Sequence, residues 1–425
     1  MPDASPYSYP ADLAQFVLDR WGDDPPSSEV LQRLYATCYQ ASQLTEESRQ
    51  VTFRAILADP ATFPASGGPP QHVHKLEFER PIPFDPRELR RLSAAADFAR
   101  SIIGVSANPM GHLSIWGLVH QGSRWMHDVV GGRGGGPTLP HVPVTHVLAP
   151  GSIEALCGSE VLGRLEAGAI SGARFDVFES HWLHESFQPL QDELNRLHTL
   201  AREQAEAAGE RWALPAPDLA RIIGEQMMKR IISLIRRDRH GGTLIFMPDD
   251  ASSALESNNR YLEIKYRFTD TVARQRFFDL ILEILNRLAP VHGDLGTDHV
   301  TWTAFRSTVD RELATLDEAL FELANCIAGL SAVDGAVVLD KQLEIIGFGA
   351  VISGRLPSVP IVAHASDPEG GSVVPEPAAN EGTRHRSAYR LVGALPGAMA
   401  IVVSQDGGAR FITSRDGRVT YWDHE

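Results

Sequence analysis

From about residue 308 onward the chain alternates amphipathic helix, apolar strands, helix and strands, and this order restricts the fold more than any other feature. Residues 317–330 place apolar side chains three and four positions apart, the period of a helix with one buried face. That segment enters Val333-Asp334-Gly335-Ala336-Val337-Val338-Leu339, an apolar strand interrupted by an acid and a glycine. Residues 343–352 continue as strand, 385–395 read as helix, and 398–404, 409–414 and 418–422 read as three more strands. Gln405-Asp406-Gly407-Gly408 and Arg415-Asp416-Gly417 supply the turns, the second with a hairpin signature. Such alternation predicts a compact α/β unit. Residues 356–382, rich in Pro, Gly, Ser and Glu, are expected to form a mobile loop.

The earlier part reads as a second mixture of helix and strand. Helical spacing occurs over 11–21 and 28–43, and Pro86 opens a helix expected to run to about 101. Strand character marks 73–78, 102–106, 112–120 and 123–130. Helices are expected over 152–166, 185–209, 218–237 and 272–288, with 290–301 as a linker. His240-Gly241-Gly242-Thr243 turns into an apolar strand over 244–247. A chain of 425 residues exceeds the usual single domain. The expected architecture is a multidomain α/β (α+β) protein. A mixed sheet flanked by helices would occupy 306–425, and a larger α/β region 1–305.

Composition narrows the function classes. A formal net charge of -15 disfavours nucleic acid and anionic membrane as partners, since both call for a basic surface. Cys38, Cys157 and Cys326 are far apart and form no CxxC pair, which argues against a zinc knuckle or a disulfide framework. The N-terminus has neither the basic nor the apolar segment of a signal peptide. No run of about 18 apolar residues occurs, so the expectation is a cytoplasmic protein without a spanning helix.

Several residues suggest chemistry. The Gly-rich stretch 131–136 holds Arg133 but lacks the Gly-Lys-Ser/Thr ending of a phosphate loop, so a plain connector accounts for it better than an anion site. His72 and His74 flank Val73 on one strand face without a third ligand in reach of the sequence. His292, Asp294 and His299 fall in the expected linker. Asp334-Gly335 is, taken alone, an ordinary helix-to-strand turn. Gly382-Thr383-Arg384-His385-Arg386 is less ordinary, because it puts two arginines and a histidine at a helix start, where free N–H groups attract anions. An acid at a strand start can hold a divalent metal, and a basic helix start can hold phosphates. Together they describe a site for nucleotidyl transfer.

At these residues the chain resembles the diadenylate cyclase family, whose signature motifs are DGA and RHR. The resemblance covers about residues 308–422 and includes Ile401-Val402-Val403-Ser404 as the family's strand ending in Ser. It implies condensation of two ATP molecules into cyclic di-AMP and two pyrophosphates by a homo-oligomer with facing cyclase domains. It also implies roles for single residues. Asp334 would bind Mg²⁺ or Mn²⁺ and help activate the ribose 3′-hydroxyl, and Gly335 and Ala336 would line the nucleotide. Gly382, Thr383, Arg384, His385 and Arg386 would grip the triphosphate, with Ser404 and Gln405 beside the phosphates. Gln405 stands where many relatives have Glu, and Asp406 is a substitute acid. The N-terminal region resembles the DACNV sensor domain fused to some of these cyclases, through His112-Leu113-Ser114-Ile115-Trp116-Gly117-Leu118 and His240-Gly241-Gly242-Thr243-Leu244-Ile245-Phe246. That implies a sensor with an unidentified ligand. The alternative is a non-catalytic protein that binds ATP or cyclic di-AMP and signals to a partner.

Overall fold

The computed structural model describes residues 7–63, 68, 72–121, 131–133, 139–172, 175–248, 259–296, 298–405 and 407–424. The expected strand over 123–130, the second half of the Gly-rich stretch (134–136) and Asp406 lie outside them. The protein is an α+β multidomain chain with two compact units, residues 1–129 with 134–174, and 130–133 with 175–425. The boundary expected near 305 therefore falls inside the second unit.

The first unit carries an eight-stranded sheet. Its strands are β1 (Phe53–Leu57), β2 (His74–Pro83), β3 (Ser101–Ala107), β4 (Leu113–His120), β5 (Pro143–Ala149), β6 (Ser152–Cys157), β7 (Glu160–Glu166) and β8 (Ala169–Ser171). They lie in the order β8-β7-β6-β5-β1-β3-β4-β2, antiparallel except for β1 beside β3. Helices α1 (Pro10–Leu18), α2 (Ser28–Ser42) and α3 (Pro86–Ser93) bury Leu13, Leu34 and Leu89 with Phe53, Ile103 and Ile153 of the sheet. The other face buries Ile56, Ile102, Trp116 and Val144. Trp116 lies against Gly104, where a Cβ would come within 2.2 Å of the indole, and its Nε1–H donates to the Ala58 carbonyl at 2.8 Å. The expected helix over 152–166 is the hairpin β6–β7. Its apolar residues follow a two-residue alternation as well as a helical one, and Gly158, at φ +58°, takes the left-handed turn conformation. The helix opened by Pro86 stops at Ser93, and β3 begins at Ser101.

The second unit is organised by a nine-stranded sheet. Its strands are β9 (Gly242–Met247), β10 (Leu262–Arg267), β11 (Ala336–Asp340), β12 (Ile345–Ile352), β13 (Ile361–Ala365), β14 (Val373–Pro377), β15 (Met399–Val403), β16 (Ala409–Arg415) and β17 (Arg418–His424). Their order is β10-β12-β11-β9-β15-β16-β17-β13-β14. One face is covered by helices including α4 (Gln188–Ala207), α5 (Leu219–Asp238), α6 (Arg276–Asp294) and α7 (Arg311–Leu330), packed on Leu244, Phe246, Val337, Ile401 and Phe411. The alternate residues Val402, Ala400 and Ile412 face α8 (Thr383–Ala394), which buries Ala388, Tyr389 and Val392. This is the alternation that a sheet buried on both faces requires.

Three expectations change here. His240–Phe246 is not part of an N-terminal sensor region, since it supplies an interior strand of the second sheet. Residues 356–382 are not a featureless loop, because they contain the hairpin β13–β14. Strand β13 pairs in parallel with β17 through Ala363↔Thr420, and Trp422 Nε1–H donates to the Asp367 carbonyl at 3.1 Å. Pro375 and Pro377 hid the hairpin in the sequence, yet they lie in an edge strand, where proline is tolerated. The linker expected after 290 is helical to Asp294. The last turn of α6 is held where Gly293 meets the Arg211 carbonyl so closely that a Cβ would lie 1.9 Å from it.

Two outcomes follow. A fragment of residues 306–425 lacks β9 and β10 and should show no cooperative thermal unfolding by circular dichroism, whereas residues 175–425 should. Val362 is 2% exposed in β13. Val362→Asp should therefore cost about 3 kcal/mol or more in denaturant titration, while a mobile loop would tolerate it.

Candidate functional site

Helix α5 ends at Arg239 in the left-handed conformation, Gly241 follows at φ +66°, and Gly242 opens β9. Strand β9 runs parallel to β11, with Leu244 beside Val337, so Gly242 is level with Gly335. On its other side it runs antiparallel to β15, with Gly242 opposite Val403. Three backbone segments thus meet at one sheet edge: 240–242, 334–336 and 403–405. The N-terminus of α8 reaches the same edge, because a Cβ on Gly241 would lie 2.7 Å from Arg384 Nη1, 2.7 Å from the Val403 carbonyl oxygen and 3.2 Å from the Gln405 nitrogen.

Each candidate residue has a definite place there. Asp334 is exposed in the turn between α7 and β11, and among the described residues its carboxylate has no hydrogen-bond or ion-pair partner. Gly335 has φ +115°, and a Cβ on it would come 2.6 Å from the Gly349 carbonyl carbon. Both facts call for glycine. Ala336 is buried as the first residue of β11. Gly382 is the N-cap of α8 and has no side chain with which to cap it, so the first-turn N–H groups keep their donor capacity. Thr383, Arg384 and Arg386 are exposed, and His385 is half-buried with Nδ1 3.9 Å from Glu381. The backbone of Ser404 accepts from Gly407 at 3.1 Å and donates to Gly408 at 2.8 Å, which closes the turn that presents Gln405.

Below the basic helix start lies a charged cluster that the sequence reading did not find. Arg410, on β16, holds Glu381 at 2.7 Å and Asp423 at 2.8 Å, and its guanidinium lies 4.4 Å from the centre of the Tyr421 ring. His364 bridges Asp423 at 3.1 Å and Glu376 at 3.3 Å and stacks on Tyr421. Tyr421 donates its hydroxyl to Glu376 at 2.6 Å. Burial works against the Arg410 cation, but Glu381 and Asp423 outweigh it and hold the group protonated. The hydrogen bond to Asp423 raises the His364 pKa above its ordinary value against a smaller burial effect. Arg410 fixes Glu381, and Glu381 faces His385, so the cluster positions the central residue of the Arg-His-Arg run. The signal in the sequence was spread over four strands and the residue before the N-cap of α8, and only Glu381 adjoins the motif.

The other candidates are structural. Arg133 donates to the backbone carbonyls of Phe305, at 2.9 Å, and Thr308, and its guanidinium covers the Phe305 ring. His292 lies in α6, bonds Thr308 through Nε2 at 2.8 Å, and has its pKa lowered by burial. His299 belongs to a two-residue strand, and His72 and His74 are exposed.

Comparison with known families gives a match inside the first unit. Residues 22–120 match the family described as probable sensor domain DACNV. The match includes the segment 112–118 and excludes 240–246, in agreement with the placement of β9 in the second unit's sheet. This family is the N-terminal sensor of proteins that contain a diadenylate cyclase domain. Searches of curated proteins and of solved structures give no match. Among the described residues no helix is long and apolar enough to cross a membrane, and no three or more His, Cys, Asp or Glu side chains form a group that could hold a metal ion.

The His364 cluster sets a pH dependence. A raised folded-state pKa means that protonation favours the folded form. This stabilisation is complete below the unfolded value near 6.5 and is lost as pH rises through the folded value. The stability difference between the wild type and His364→Gln should accordingly be largest at acid pH and shrink on the alkaline side. An unchanged difference from pH 5.5 to 9 would contradict the assignment.

Proposed function

We propose that the second unit is a diadenylate cyclase whose output the DACNV-type sensor region regulates. The observation that carries this reading is the shared sheet edge, to which an exposed acid at a strand start and a helix N-terminus bearing two exposed arginines both belong. Arg384, Arg386 and the first N–H groups of α8 would bind the triphosphate, and the backbone at 335–336 and 241–242 would let the nucleotide approach closely. Two chains would present two such edges to each other. The 3′-oxygen of each ATP then forms a bond to the other's α-phosphorus, and each α–β bridging bond breaks to release pyrophosphate. The two hydroxyl protons leave to water or to Asp334, and two ATP become cyclic di-AMP and two pyrophosphates.

The residues fit a divalent ion that arrives on the triphosphate, since such an ion needs only one or two protein carboxylates. Among the described residues, Asp334 is a carboxylate at this edge without a partner in the chain. Mg²⁺ or Mn²⁺ bound there would stabilise the negative charge that develops on the phosphates. Gln405, where an acid would add a second ligand, favours one other reading, a nucleotide-binding sensor without turnover.

Incubation of the purified chain with ATP and either metal, followed by chromatography for cyclic di-AMP, separates the two readings: binding without product selects the second. Asp334→Asn is expected to abolish product at an unchanged melting temperature, because charge rather than shape holds the metal. Arg384→Ala and Arg386→Ala should each weaken ATP binding by about 1.5–3 kcal/mol, roughly one to two decades. Unchanged calorimetric affinity in both variants would remove the arginines from the triphosphate site.

A further inference from the structure

On the face of the second sheet opposite α8, a pocket opens between α4, α5 and strands β9, β15 and β16. It holds about 620 Å³ of empty space, part of it open to solvent. Its floor is apolar, formed by Phe246, Met399, Ile401 and Phe411. The polar groups include Arg221, Glu225 and His184, which form one connected set. Arg221 pairs with Glu225, and His184 Nε2 lies 3.3 Å from Glu225 and 2.6 Å from the Phe178 carbonyl.

The helix wall adds a second observation. Gly224 lines the pocket from the interior of α5, where glycine is less favourable than alanine. Nothing in the backbone calls for it, because it does not occupy the left-handed region. A Cβ there would meet no atom within 4 Å. The glycine leaves room on the pocket side that packing within the chain does not use.

We propose that this pocket binds an uncharged amphipathic small molecule, with its apolar body on the Phe246–Phe411 floor and a hydroxyl or amide end between Arg221 and Glu225. The charge at that end is balanced, one cation against one carboxylate. An uncharged head that both donates and accepts can join the pair, whereas an anion or a cation would compete with one member and strand the other. The site is separate from the motif edge, and its test does not depend on turnover.

The test uses the full chain and the uncharged fluorophore N-phenyl-1-naphthylamine. Saturable binding is expected, and 1-decanol should displace the probe at concentrations about tenfold below those needed with decanoate or decylammonium. Gly224→Leu fills the pocket and should lower probe affinity about tenfold or more without lowering the melting temperature. Gly224→Ala, a smaller change that favours the helix, should lower it about threefold. No saturable signal, or wild-type affinity in a folded Gly224 variant, overturns the pocket assignment. Displacement by decanoate as readily as by decanol overturns the uncharged head.

Discussion

The second unit depends on the backbone hydrogen bonds of β9. This strand pairs in parallel with β11 on one side and antiparallel with β15 on the other. This arrangement brings the turn after α7 and the turn after β15 to the same edge. The two glycines at its start serve that convergence. Gly241 makes room for Arg384 and for the Val403–Gln405 backbone, and a Cβ on Gly242 would lie 2.7 Å from the Ser331 hydroxyl at the end of α7. A side chain at either position would push apart segments that the sheet register brings together. The strand itself is buried throughout, so its pairing is shielded from competition with water.

The charged cluster under α8 does a different job. Ion pairs taken out of water gain little net stability, because desolvation offsets the attraction, and their better-attested value is to fix geometry. Here the geometry fixed is the entry of α8. Glu381 precedes the N-cap, and Arg410 ties it to the sheet. Arg410 is itself held by Asp423, and Asp423 by His364. A chain of charges therefore runs from the strand pair β13–β17 to the residue before Gly382. Leaving any one of them unpaired would cost more than the pair contributes.

The sequence made part of this legible. The strands after α8 and most helices of the second unit stood out, because their apolar residues repeat at two or at three and four positions and their ends carry Gly or Asp. The motif residues also stood out as types, an acid-glycine pair at a strand start and a basic helix start. Long-range pairing did not. Nothing local in 242–247 says that it runs between segments about 95 and 160 residues away, and parallel strands carry no hairpin turn to announce their partner. The hairpin β13–β14 was obscured by prolines that are harmless only because the strand is an edge, and edge position is a property of the whole sheet. The hairpin β6–β7 was ambiguous for another reason, since a short apolar stretch can satisfy either period. Arg410, His364 and Asp423 gave no signal, because each is unremarkable until the sheet places them side by side.

The two prolines in β14 have one more consequence. A sheet of nine strands ends in two open rims, and an open rim invites the strand of another molecule. At one rim, Pro375 and Pro377 deprive β14 of two N–H donors in five residues. At the other rim, β10 alternates Glu263, Lys265 and Arg267 as exposed side chains, so a second strand laid beside it would have to accommodate a row of charge. Both rims are therefore guarded against continuous ladder formation between copies. The long sheet can stay a closed unit at high concentration, without forming the stacked fibres that a bare nine-stranded sheet would seed.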